Sequence, residues 1–139
     1  MAGLSPWRTV LKQAGALLLA AGFAAAVAGF SIPLRETGEG EIPLAAALKR
    51  LPPPLWIDAR PEAEYRNEHI PGALPLNAEG WEQLVPRVLE AWEPERTAIV
   101  YCASPGAQAS REVAERLRDF KLGPVFVLQG GWKAWKQKD

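Results

Sequence analysis

The sequence predicts a small doubly wound α/β domain built on a parallel sheet and preceded by one amino-terminal transmembrane helix. Three observations predict it. Compact apolar runs recur through the later part of the chain, amphipathic stretches lie between them, and 19 consecutive residues from Ala14 to Ile32 carry no charge.

Residues 1–13 form a short leading segment holding Arg8 and Lys12, and residues 14–32 follow as the apolar run. As a helix rising 1.5 Å per residue, that run is about 28 Å long, close to the hydrocarbon thickness of a bilayer. It has no polar face, which disfavours a buried helix of a soluble core. Two readings stay open. Ala26-Val27-Ala28 before Gly29 has the small-x-small form of a secretory cleavage site. The apolar run nevertheless continues through Phe30 and Ile32, which favours a retained single-pass anchor in the cytoplasmic membrane. Arg8 and Lys12 favour a cytoplasmic amino terminus and a domain on the periplasmic or outer side, although Arg35, Lys49 and Arg50 count against them. Cleavage followed by secretion is the alternative.

Residues 33–42 are polar and glycine-containing, a tether. The domain is expected over 43–139. Pro43 opens a short amphipathic helix carrying Leu44, Ala47, Leu48 and Leu51, and Pro52-Pro53-Pro54 ends it. Leu55-Trp56-Ile57, Ala73 to Leu76, Ala98 to Tyr101 and Val125 to Leu128 read as strands. Strands apolar on both faces belong in a sheet covered on both sides, hence a parallel one. Trp81, Val85, Val88 and Trp92 share a helical face, in a helix that Pro86 is expected to kink or divide. Val113, Ala114, Leu117 and Phe120 form a second face, and Trp132 and Trp135 fall at i, i+3 as core aromatics. Strands alternating with helices at this pace make a doubly wound domain.

Composition narrows the chemistry. At 139 residues, 48% hydrophobic and 23% charged, the chain holds one modest core beyond the apolar run. Formal net charge is +0 and there is no basic stripe with interleaved aromatics, so nucleic acid is not an expected partner. Cys102 and His69 are each the only residue of their kind, which leaves neither a disulfide nor a thiolate or histidine-pair metal site. A metal site is therefore not expected.

Cys102 remains as a candidate nucleophile. It stands where the strand Ala98 to Tyr101 runs into a turn, Ala103-Ser104-Pro105-Gly106-Ala107-Gln108-Ala109, with a helix expected from Ser110. Loop N–H groups and a helix amino end there favour an anionic sulfur. In open α/β folds, sites lie at the carboxyl ends of strands. A small core hydrophobe at a strand end is the alternative for such a cysteine.

Four blocks, Trp56 to Tyr65, His69-Ile70-Pro71-Gly72-Ala73, Val100-Tyr101-Cys102, and Leu128 to Trp135, appear in an order and spacing that resemble the signature of a rhodanese-like domain. The resemblance spans Pro43 to Lys136. It implies a sulfurtransferase, in which Cys102 accepts a sulfane sulfur from a small donor, carries it as a persulfide, and yields it to a thiol or cyanide-type acceptor. The loop Ala103 to Ser110 would hold that persulfide without any cofactor. Compared with the family pattern the loop is longer and lacks a cation. Arg111 is the first cation after it, and Pro105 removes one N–H. Thiosulfate is therefore not the expected natural donor. A related membrane-anchored subgroup carries a second cysteine where Ala107 stands.

Asp58 is expected to clamp backbone donors and so support the loop. Arg60 and Glu64 are expected to pair across a turn, and the His69 ring to bond the backbone where the next strand begins. Ser110 reads as a helix N-cap or loop hydroxyl within reach of the persulfide, and Gly130-Gly131 as a place of close packing beside the active loop. Three function classes compete: an anchored sulfurtransferase, a rhodanese-like binding module without turnover, and a cysteine phosphatase or arsenate reductase. The last needs an oxyanion-clamping arginine where Gln108 stands, so it is set aside.

Overall fold

The computed structural model describes residues 40–103 and 108–138. The apolar run 14–32, the tether as far as residue 39, and the loop positions Ser104, Pro105, Gly106 and Ala107 lie outside the described residues. Among those described, no helix is long and apolar enough to cross a membrane.

Five parallel strands form one sheet: β1 (Glu41–Ile42), β2 (Leu55–Asp58), β3 (Leu74–Pro75), β4 (Ala98–Tyr101) and β5 (Val125–Leu128), in the spatial order β1-β5-β4-β2-β3. The centre is fixed by register, with Ile57 opposite Val100 and Val100 opposite Val127. Every residue of β2 and β4 is buried, because strict alternation sends neighbouring side chains to opposite covered faces. Leu55, Ile57, Ala98, Val100, Val125 and Val127 pack on one face beneath α3 (Trp81–Ala91) and α4 (Gln108–Arg118). Trp56, Ile99, Tyr101 and Leu128 face the other side, against Leu44 and Ala47 of α1 (Leu44–Ala47) and Trp132 and Trp135 of α5 (Gly131–Lys136).

Trp81, Val85, Val88 and Trp92 are buried as their spacing predicts. Pro86 neither ends nor splits α3. Its side chain is exposed, so the Glu82 carbonyl that loses its partner lies on the solvent side, while the buried stripe holds the helix to the sheet. Phe120 departs from its expected face and is 43% exposed, because α4 stops at Arg118 and helical spacing no longer governs residues beyond it.

Two elements had not been expected. β1 falls within the stretch read as tether; its two residues pair with Val127 and Leu128 at the sheet edge. The helix α2 (Glu62–Asn67) buries none of its residues and therefore shows no apolar stripe, but Pro61 before it and Glu62 and Glu64 in its first turn are helix-start signals.

Candidate functional site

Cys102 follows directly on β4, the middle strand, which β2 and β5 hold from both sides. It is 5% exposed, and its sulfur lies 2.9 Å from the Ser110 hydroxyl oxygen, to which the thiol donates. With the sulfur ionised, the same hydroxyl can turn its proton toward it. Ser110 is not the cap expected. α4 begins earlier, at Gln108, which puts Ser110 one turn inside and buried, while Gln108 and Ala109 are exposed helix residues rather than loop. The dipole of this eleven-residue helix has its positive end at Gln108.

The last helix locks the Cys102 backbone. The Trp132 N–H donates to the Cys102 carbonyl at 2.7 Å. Gly131 makes this approach possible: its φ is +53°, and a Cβ built there lies 2.4 Å from the Cys102 carbonyl oxygen. Both the left-handed conformation and the missing side chain are required. Gly131→Ala is expected to lower stability by about 2–4 kcal/mol, through overpacking against backbone and a strained φ, as read from urea midpoints.

On the other side of β4, Tyr101, Asp58 and Arg60 form a buried brace. The two Asp58 carboxylate oxygens accept from the Arg60 backbone N–H at 2.9 Å, from its Nε at 3.0 and 3.2 Å, from its terminal nitrogen at 2.7 Å, and from the Tyr101 hydroxyl at 2.9 Å. Tyr101 in turn accepts the Ile70 N–H, and the Arg60 guanidinium also donates to the Glu68 carbonyl. The expected Arg60–Glu64 pair is thus replaced by Arg60–Asp58. Glu64 is exposed, whereas Arg60 turns inward and lies 4.3 Å over the Trp132 ring. Burial acts to lower the Arg60 pKa, but the Asp58 hydrogen bonds and charge prevail and raise it. Burial, reinforced by the Asp58 charge, pushes the Tyr101 phenol well above its ordinary 10.0.

That shift has a pH consequence. The folded protein retains the Tyr101 proton to higher pH than the unfolded chain, so stability is full below pH 10.0 and declines as pH rises past it. Urea midpoints taken across pH 10.0 are expected to fall, and Tyr101→Phe is expected to flatten that fall.

His69 is held by Tyr65. Its Nδ1 lies 2.8 Å from the Tyr65 carbonyl, to which it donates, and its ring stacks on Tyr65. It is Tyr65 whose hydroxyl holds the start of β3, donating to the Ala73 carbonyl at 2.8 Å. Arg111 lies on the surface and pairs with Glu41 at 3.3 Å. Tyr101 and Trp132 are the residues of this arrangement that sequence reasoning did not assign to the site. Their signal was position alone, one beside Cys102 and the other beside the paired glycines.

The rhodanese-like domain family matches residues 43–138, and the chain belongs to that family. Among solved structures, the rhodanese-like domain of a protein from Anabaena sp. is 30% identical over 67% of this chain and 84% of that one, at a TM-score of 0.50. A rhodanese-like domain protein from Staphylococcus aureus is 22% identical over 69% of this chain and 90% of its own, at a TM-score of 0.52. A protein from Bacillus halodurans shares 20% identity over 70% of this chain and 72% of its own, at a TM-score of 0.58, a likeness of fold. The curated proteins give no match.

Proposed function

We propose that the protein is a membrane-anchored sulfurtransferase that carries sulfane sulfur on Cys102. The observation that carries this reading is the placement of the one thiol of the chain at the carboxyl end of the middle strand, 2.9 Å from a buried hydroxyl and ahead of a helix amino end. The Cys102 thiolate attacks the outer sulfur of a donor, forming Cys102–S–S⁻, while the bond to the donor breaks and its electron pair leaves with a thiolate, or with sulfite when thiosulfate is the donor. An acceptor thiolate or cyanide then attacks the outer sulfur, and the Cys102 thiolate is released. The Ser110 O–H is placed to donate to the Cys102 sulfur, as attacking thiolate in the first step and as departing thiolate in the second.

No Lys or Arg occurs from Ala103 to Ser110, and Arg111 is engaged with Glu41. A doubly charged donor gains little there beyond the helix dipole, so low-molecular-weight persulfides should react faster than thiosulfate. The same missing cation favours the second reading, a binding module without turnover. Intact mass of the purified chain after exposure to persulfide and thiosulfate separates the two. The expected result is a gain of one sulfur atom on Cys102, larger with persulfide; no gain with any donor leaves the binding module. Ser110→Ala is expected to slow sulfur uptake about tenfold, the loss of one hydrogen bond worth about 1.5 kcal/mol to a charged sulfur, as followed by mass against time.

The uncharged run 14–32 supports a single-pass anchor in the cytoplasmic membrane, and Arg8 and Lys12 support a domain on its outer side. Protease added to intact spheroplasts should digest the domain. A domain protected from that protease, or a chain recovered in the cytosol, overturns the placement.

A further inference from the structure

We infer that the hollow between α2 and the start of α3 is a binding site for a small organic cation, an amine or guanidine carried on an apolar body. The cavity has a volume of about 550 Å³, and its described lining comes from the chain between Pro61 and Leu84. That size suits a small molecule. It lies just beyond the carboxyl ends of β2 and β3, the end of an open α/β sheet at which ligands bind. Cys102, Ser110 and the Asp58 brace are not among its described lining, so the inference does not rest on the sulfurtransferase reading. Pro61, Pro75, the Tyr65 ring and Leu84 give it an apolar wall. That wall is fixed in advance. The Tyr65 hydroxyl is tied to the Ala73 carbonyl at 2.8 Å, and its ring stacks on His69 with ring centres 3.9 Å apart. On the facing side, Asn77 Oδ1 accepts the Gly80 N–H at 2.7 Å, which leaves the Asn77 NH2 group to a ligand, and Gln83 offers a second carboxamide.

Charge decides the kind of ligand. The chain as a whole has a formal net charge of +0, yet residues 61–91, which carry both α2 and α3, hold Glu62, Glu64, Glu68, Glu79, Glu82 and Glu90 against Arg66 and Arg87. Two cations reach this stretch from other elements, Lys136 on Glu68 and Arg116 over the Trp81 ring, and the balance stays acidic. On the cavity itself Glu62 and Arg66 pair with each other across one turn of α2. Glu79, which enters no ion pair among the described residues, therefore sets the sign. The positive end of the α3 dipole borders the cavity too, but Glu82 in the first turn of that helix offsets it. A fixed apolar wall beneath an unbalanced carboxylate selects a cation with an apolar body over its neutral and anionic counterparts.

The test uses the full chain, isotopically labelled and held in uncharged detergent micelles, with the backbone amides of residues 77–84 followed by NMR. Benzylamine, benzyl alcohol and benzoate are titrated in turn as the cationic, neutral and anionic forms of one body. We expect benzylamine to shift these amides saturably and to bind about fivefold more tightly than benzyl alcohol, with benzoate weaker still. High salt should remove the advantage of the amine. Glu79 is exposed, so Glu79→Gln should fold normally, weaken benzylamine about fivefold and leave benzyl alcohol unchanged. Benzylamine that shifts none of these amides, or binds no better than the alcohol, overturns the inference. So does a Glu79→Gln chain that binds the amine at full strength. None of these results bears on sulfur uptake by Cys102, which intact mass reads separately.

Discussion

Cys102→Ser is expected to lose sulfur transfer from every donor while keeping its fold. Oxygen in place of sulfur forms no persulfide, and no second thiol exists in the chain to substitute for it. The replacement is close in volume, the site is 5% exposed, and the Ser110 hydroxyl 2.9 Å away can bond the new oxygen. Stability should therefore change by only about 1 kcal/mol. Intact mass after persulfide exposure, together with urea midpoints on the same preparation, checks both halves. A serine variant that still moved sulfur would end the enzyme reading.

Asp58→Ala should unfold the protein more readily than any other substitution considered. Removing the carboxylate leaves the Arg60 guanidinium, 4% exposed, with one backbone carbonyl as its remaining hydrogen-bond partner, and deprives the Tyr101 hydroxyl of its acceptor. Breaking one side of a buried pair in this way costs about 3–5 kcal/mol. Activity per folded molecule should change little, since Asp58 reaches Cys102 only through Tyr101 and through Arg60 packed on Trp132. Thermal melts and turnover on one preparation decide between roles. An unchanged melting curve with lost turnover would make Asp58 a catalytic residue.

Much of the sheet was legible because its strands are short and apolar on both faces. β4 and β5 have the bounds their sequences predict, and β2 extends the expected run by Asp58 alone. The reading failed where burial left no pattern. β1 has only two residues, and α2 buries none of its residues fully. At the site, Cys102 and the close packing at Gly130-Gly131 could be read locally, because a strand end and paired glycines are local signals. The partner of Arg60 could not. Local spacing offers Glu64, but the choice is made by Trp132, far along the chain, whose ring covers the inward-turned guanidinium beside Asp58. Ser110 was legible as a hydroxyl near Cys102 but not as a buried helix residue, since a helix starting two residues earlier removes the cap role.

The lock on the Cys102 carbonyl comes from Gly131 and Trp132, which are made after every other part of the site. During synthesis, therefore, the nucleophile, its serine and the Asp58 brace leave the ribosome before the residues that hold the strand end in place. A chain interrupted after β4 and α4 carries the thiol but neither β5 nor the lock. Translation itself thus orders assembly, and a truncated product carries Cys102 without the hydrogen bond that holds its carbonyl.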